Sequence, residues 1–235
     1  MRPIRFARRW LTKPAGSCLV SFGGTRVLCS ASIEPEVPPH RRGLGGWVTA
    51  EYAMLPGSTS PRKKRDSGKV DGRSVEIQRL IGRALRAAVA LDRLEEVSIV
   101  IDCDVLDADG GTRTAAITGG WLALHDALAA LARERGHEAG AAHYLSGQVA
   151  AVSVGLVQGQ VVVDLDYAAD SVAEVDMNLV MRCPLGGGAA DFVEIQGTGE
   201  HGVLPCTRLP ELLAAGAAAL ADIFAAQRAA LAEPQ

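Results

Sequence analysis

The chain has 235 residues, 48% of them hydrophobic and 4% aromatic, enough apolar material for one sizeable core filled by Ala, Val and Leu rather than by rings. The five cysteines (Cys18, Cys29, Cys103, Cys183, Cys206) are odd in number and widely spaced, which argues against a disulfide framework or a zinc cluster. The basic start lacks the apolar segment of a signal peptide, and the apolar tail 212–232 is interrupted by Asp222, Gln227 and Arg228. No membrane association is expected, and the cytoplasm is the natural compartment.

The formal net charge of −3 hides an asymmetry. Residues 1–93 carry 18 Lys and Arg against 7 Asp and Glu, whereas residues 94–235 carry 6 against 20. A basic half suits a polyanion, and an acidic half suits metal ions or a basic surface. Two oppositely charged faces meeting in an oligomer would give the same imbalance.

In chain order, β-branched runs at 17–22 and 26–33 flank the turn dipeptide Gly23-Gly24 and read as a hairpin. A third strand is expected at 47–55, after the basic loop that contains His40, Arg41 and Arg42. Residues 56–73 form a second basic loop with no apolar periodicity, carrying Arg62, Lys63, Lys64, Arg65 and Lys69 and expected to be solvated and mobile without a ligand. A helix is expected over 74–91, with Ser74 as N-cap and Ile77, Leu80, Ile81, Ala84, Leu85 and Ala88 on one face. Arg79, Arg83 and Arg86 then form a stripe on the other side.

A strand at 97–105 leads into Gly110-Gly111-Thr112-Arg113-Thr114, and a long Ala/Leu helix follows to about Glu134. Strands are expected at 148–157, 160–167, 172–181 and 192–197, and a last helix at 210–232 opens on Pro210. Alternating strands and helices of this kind argue for α/β or α+β layers, and the length is enough for one generous domain or two small ones.

Three features could carry chemistry. Between a strand and a helix, Gly110-Gly111-Thr112-Arg113-Thr114 can cradle phosphate: glycines permit close backbone approach, helix amides point at the anion, and Arg113 offers a planar fork. A plain Gly-rich turn with a Thr cap would look the same. The acidic stretch from Asp164 to Asp176 places Glu174, Asp176 and Asn178 on one strand face. Asp170 and Asp176 can ligate Mg²⁺ or Mn²⁺, or one can act as a general acid, although a solvated strand face fits as well. The basic residues Arg62, Lys63, Lys64, Arg65, Arg79 and Arg83 can neutralise RNA phosphates; the helix arginines could equally serve an intersubunit contact. Trp47, Trp121 and Tyr167 read most simply as core or interface residues.

Several long motifs in order make the chain resemble ribonuclease PH along nearly its whole length. They include Gly46-Trp47-Val48-Thr49-Ala50-Glu51-Tyr52, Glu76-Ile77-Gln78-Arg79-Leu80-Ile81-Gly82-Arg83-Ala84-Leu85-Arg86 and Ala108-Asp109-Gly110-Gly111-Thr112-Arg113-Thr114. Asp170-Ser171, Asp176-Met177-Asn178 and Val193-Glu194-Ile195-Gln196-Gly197-Thr198 continue the match. The resemblance implies a single domain over 1–235 with an α+β fold of the ribosomal protein S5 domain 2 type, mixed sheets packed against helices, assembled as a homo-hexameric ring of dimers. It implies phosphate-dependent 3′→5′ trimming of tRNA precursors and other RNAs, reversible with nucleotidyl addition and releasing nucleoside diphosphates. Inorganic phosphate would be the co-substrate, bound by Arg73, Gly111, Thr112 and Arg113. Asp170 and Asp176 would hold Mg²⁺ or Mn²⁺ and, with Arg113, form the catalytic set.

The alternative is a non-catalytic RNA-binding ring subunit; such subunits typically lose the phosphate arginine or the aspartates, and Arg73, Arg113, Asp170 and Asp176 are all present. The chain starts about ten residues after the family's Arg-Pro-Asp-Gly-Arg stretch would begin. The basic loop is slightly short, and Val175 stands where the family usually has Thr.

Overall fold

A computed structural model describes residues 1–65 and 71–233. Its strands are β1 (Ile4–Arg8), β2 (Gly16–Phe22), β3 (Thr25–Glu34), β4 (Trp47–Met54), β5 (Ser98–Asp107), β6 (Gly147–Val157), β7 (Gln160–Val163), β8 (Val175–Pro184) and β9 (Asp191–Thr198). Its α-helices are α1 (Gly72–Arg86), α2 (Thr112–Glu134), the single turn α3 (Tyr167–Asp170) and α4 (Leu209–Ala232). The strands form a five-stranded sheet in the order β1-β2-β3-β5-β4 and a four-stranded sheet in the order β7-β6-β8-β9. All neighbours are antiparallel except β4 and β5.

Helix α2 lies between the sheets, packed on β2 and β3 on one side and β6 on the other. It is therefore buried almost all round from Thr114 to Leu128, and its sequence is apolar all round for that reason. Close approach needs a small residue at the contact: a Cβ on Gly119 would lie 2.4 Å from Val20 Cγ1. Strand β6 is sandwiched in turn, between α2 and α4, so ten consecutive residues are buried and alternation is lost. Apolar side chains from both sheets and from α1, α2 and α4 share one continuous core.

The two helices α2 and α4 are long and apolar enough to cross a bilayer by length and composition. Both are instead docked on sheets. On α4, Leu212, Leu220, Ile223 and Phe224 are buried, and buried Gln227 donates to the carbonyls of Thr118 and Val149 at 3.0 Å each. The polar residues that interrupt its apolar run thus include one that ties α4 to the core.

The hairpin turn forms at Gly23 (φ +55°), and Gly159 (φ +71°) turns β6 into β7. Several expectations shift. The first strand, β1, went unread because only short apolar positions mark it; it pairs along β2 from Ile4–Phe22 to Arg8–Cys18. The N-cap of α1 is Asp71, not Ser74: the Asp71 carboxylate accepts the Ser74 N–H at 2.7 Å, so the helix starts earlier. It also ends at Arg86, with Ala87 as C-cap, short of residue 91. The strand expected over 160–167 stops at Val163, because Asp164 turns left-handed (φ +60°) and α3 begins at Tyr167. Arg86 leaves the expected arginine stripe: its guanidinium lies 4.3 Å over the Trp47 ring and donates to the Val48 carbonyl at 2.7 Å. Lys69 and the rest of 66–70 lie outside the described residues.

Cys18, Cys29 and Cys103 are buried free thiols on the adjacent strands β2, β3 and β5. Burial pushes the Cys18 thiol up to about 12, and it is inert as a nucleophile.

Candidate active site

A cleft of about 920 Å³ opens between the N-terminal ends of α1 and α2 and the segment that runs from α3 into β8. Arg73, Gly110, Gly111, Thr112, Arg113, Asp170 and Asp176 all line it. Residues more than a hundred positions apart in the chain, such as Arg73 and Asp176, therefore face one space.

The turn entering α2 forms one wall. Gly110 (φ +72°) and Gly111 (φ +64°) are left-handed, a conformation that glycine adopts at no steric cost. A Cβ on Gly110 would sit 2.5 Å from the Leu165 carbonyl oxygen, so the turn is pressed against the strand-to-helix bend before α3. No side chain caps α2 and no acidic residue lies in its first turn. Its leading amides and the positive end of its dipole are left for an anion. The Thr112 hydroxyl is 2.8 Å from the Tyr52 hydroxyl, and the Thr114 hydroxyl donates to the Gly111 carbonyl at 2.8 Å. Arg113 is steadied by Gln196 Oε1 at 3.4 Å and Glu76 Oε1 at 3.7 Å.

Helix α1 contrasts with α2. Its N-terminus is already occupied by Asp71, whose carboxylate also accepts Lys63 Nζ at 2.7 Å; these partners hold the Asp71 carboxyl at about 2. Arg73, the second residue of α1, is exposed into the cleft.

The facing wall is acidic. Asp170 ends α3 and Asp176 is the second residue of β8. Burial pushes the Asp176 carboxyl up to about 6, helped by the charge of Asp170 and opposed by Arg113. Burial also raises Asp170, with Glu200 adding to the rise and Arg73 and Arg113 opposing it. The Asn178 amide approaches Asp176 Oδ2 at 3.5 Å. Two desolvated, mutually repelling carboxylates beside an amide make an all-oxygen donor set suited to a hard divalent cation. Among the described residues, no group of three or more His, Cys, Asp or Glu side chains forms a ready cage. Remaining ligands would come from water or substrate, as Mg²⁺ commonly requires.

The other sequence-derived residues scatter. Lys63 lines the cleft, whereas Arg62, Lys64 and Arg65 stand exposed beside it in the chain. Arg79 is exposed on α1. Arg83 is paired within the chain, its Nε and Nη2 donating to the two Glu194 carboxylate oxygens at 2.6 Å each, which links α1 to β9.

Sequence reasoning missed the residues that hold the walls together. Arg2 donates from its backbone N–H and Nε to Asp164 Oδ2 (2.8 and 3.0 Å) and from Nη2 to Oδ1 (2.6 Å). Its Nη1 donates to the Asp109 carbonyl. The Thr25 hydroxyl donates to the Gly110 carbonyl at 2.6 Å and accepts the Asp109 N–H at 2.9 Å. Arg2 and Thr25 thereby bind the Gly110–Gly111 turn to the chain that enters α3. No local signal marks this clamp, since Arg2 and Asp164 are 162 positions apart. Tyr167, read from sequence as a core or interface residue, is not core: it is 65% exposed and lines the cleft.

Two family models match this chain, "3′ exoribonuclease family, domain 1" over residues 1–129 and "domain 2" over residues 147–219. The chain is 53% identical to the ribonuclease PH of Corynebacterium diphtheriae, over 98% of this chain and 93% of that protein. It is 52% identical to the ribonuclease PH of Rhodopirellula baltica, over 98% and 94%. Solved structures of similar fold include rice Rrp46, with a TM-score of 0.77 at 18% identity, covering 99% of this chain and 96% of that one. Another is the Archaeoglobus fulgidus exosome with RNA bound to the active site, with a TM-score of 0.76 at 20% identity, covering 95% and 87%. The fold and the full-length match place the chain in the 3′ exoribonuclease family. Its activity is that of the ribonuclease PH type, phosphorolytic 3′→5′ removal of nucleotides.

Proposed function

We propose that the cleft performs phosphorolysis with Gly111, Thr112, Arg113 and Arg73 binding inorganic phosphate and with Asp170 and Asp176 acting on the leaving group. The uncapped N-terminus of α2, aimed into a cleft that carries two arginines on one side and two carboxylates on the other, supports this reading most strongly.

A phosphate oxygen attacks the phosphorus of the last phosphodiester, and the bond from that phosphorus to the neighbouring 3′ oxygen breaks. A nucleoside diphosphate leaves, and the RNA is one nucleotide shorter. The amides of α2 and the guanidinium of Arg113 hold the attacking anion and offset its repulsion by the RNA phosphate. Arg73 adds a second positive charge from α1. Asp170 and Asp176 would hold Mg²⁺ or Mn²⁺, which when bound neutralises charge gathering on the departing oxygen. A carboxyl of the pair that the cation leaves free can exchange a proton with that 3′ oxygen.

Lys63, Arg62, Lys64, Arg65 and Arg79 would meet the RNA backbone at the mouth, and Arg83 would do so only by giving up Glu194. The substrates in this reading are tRNA precursors and other RNAs with single-stranded 3′ ends. The chain is one catalytic domain over 1–235 in a homo-hexameric ring of dimers in the cytoplasm. The shared core supports the single domain, and the division of the chain into a basic and an acidic half supports subunits with complementary faces.

The test is incubation with Mg²⁺ and an RNA with a single-stranded 3′ tail, with and without phosphate, followed by chromatography of the products. Nucleoside diphosphates that require phosphate are expected. Nucleoside monophosphates formed regardless of phosphate would refute this assignment of the cleft.

A further inference from the structure

We propose that Tyr167 is a stacking platform for RNA, its ring holding the base of one of the two nucleotides that flank the scissile phosphodiester. The proposal rests on the exoribonuclease reading of the cleft and adds a base-binding element to a site otherwise made of charges and backbone amides.

Four observations converge on this ring. It is 65% exposed, so the core makes little use of it and its face is open to a partner in the cleft. Tyr167 is the one aromatic among the described residues that line the cleft. Its backbone is fixed: Asp166 caps α3 by accepting the Ala169 N–H at 2.8 Å, and the Tyr167 N–H reaches Asp109 Oδ1 at 3.3 Å. The ring is thus carried by a one-turn helix tied to the phosphate turn. Finally, Tyr167 and Asp170 stand three residues apart on that turn, and such residues share a face. A nucleotide whose phosphodiester lies between Arg113 and the two aspartates must pass beside this ring.

Stacking also suits the chemistry. Every base has a π-face, so a ring grips the chain end without selecting sequence. An enzyme that removes successive nucleotides needs that indifference. A base-edge reader would stall at the first mismatched residue. The phosphate subsite is built from the backbone and side chains of the α2 turn, and Tyr167 touches that turn through its backbone N–H, so replacing the ring should leave the subsite untouched.

The experiment compares wild type, Tyr167→Ala and Tyr167→Phe on single-stranded RNA, intact or carrying an abasic residue at the last, last-but-one or third position. Removing the ring should raise the KM for RNA roughly tenfold, the scale of one lost stack. The KM for phosphate should stay within about twofold of wild type, which also reports that the cleft is folded. Tyr167→Phe should restore the RNA KM that Ala loses, because the ring and not the hydroxyl is required. In wild type, an abasic residue at one of the last two positions should cost the same factor as Tyr167→Ala, and in Tyr167→Ala it should cost nothing further. If the abasic penalty persists in full in Tyr167→Ala, or if Phe fails as Ala does, the proposal is overturned while the phosphorolytic reading stands. If wild type yields no nucleoside diphosphates from intact RNA, both fall.

Discussion

Asp176→Asn should inactivate the enzyme and at the same time stabilise it. Burial and the neighbouring Asp170 move the Asp176 carboxyl from its ordinary 3.8 to about 6. The folded state therefore prefers the protonated form. Below about pH 4 the group is protonated in both states and costs nothing. Between about pH 4 and pH 6 the unfolded chain ionises first and the folded state loses stability; above that the loss is complete. A displacement of about two pH units corresponds to about 3 kcal/mol at pH 7.5.

Some water reaches the cleft and screens the repulsion, so a gain of roughly half that figure is the working expectation. For a chain of this size, about 1.5 kcal/mol raises Tm by roughly 3–6 °C. The assay is thermal unfolding followed by circular dichroism at pH 4 and pH 7.5, in EDTA and again with Mg²⁺. Asp176→Asn should melt above wild type at pH 7.5 in EDTA and level with it at pH 4. Mg²⁺ should raise the wild-type Tm at pH 7.5, because it relieves the same repulsion, and should raise the variant's far less. An Asn variant that melts at or below wild type at pH 7.5 in EDTA would refute the premise that the ionised carboxylate is held there at a cost.

Arg113→Ala should lower kcat/KM for phosphate by about 10²–10³, the scale of one lost anion-binding donor, and Arg113→Lys should recover only part because the planar fork is gone. Steady-state kinetics at varied phosphate decide this, and a drop below about fivefold would remove Arg113 from the phosphate site. Arg2→Ala should leave the buried Asp164 carboxylate unpartnered and release the Gly110–Gly111 turn. It should destabilise by about 3 kcal/mol and raise the phosphate KM, as read from urea unfolding and kinetics in parallel. The triple variant Arg62→Ala, Lys64→Ala, Arg65→Ala should weaken RNA binding and flatten its dependence on salt, with a slope of log K against log salt smaller by about 2, the result of fewer counterions released from a single strand. An unchanged slope in a fluorescence titration would show that these residues do not touch the RNA backbone.

The long motifs and the local alternation of polar and apolar residues were sufficient to read the strands other than β1, the three long helices and many of the residues that line the cleft. Gly110-Gly111-Thr112-Arg113 is legible because its parts act within one turn: glycine backbone, helix amides and one side chain are neighbours in the chain. Asp176 was legible for a similar reason, since the period of two along β8 puts it on the face opposite Val175 and Met177. Boundaries failed where a single residue overrode the pattern. Asp71 outcompeted Ser74 for the start of α1, and the left-handed Asp164 cut short an apparent strand.

What the sequence by itself determined is the list of chemical groups: a Gly-rich turn that opens a helix, two carboxylates and a basic loop, each defined by interactions among near neighbours. Tertiary structure alone decided which of them face one another. Arg83 reads as a candidate for RNA or for an intersubunit contact, and only the fold shows that Glu194 of β9, 111 positions away, is beside it. Arg2 carried no signal until the fold set it between Asp109 and Asp164, and Tyr167, which reads as core or interface, stands on α3 exposed to the cleft. Contacts of this kind are selected by the packing of two sheets around α2, a constraint spread over the whole chain. No window of neighbouring residues contains it.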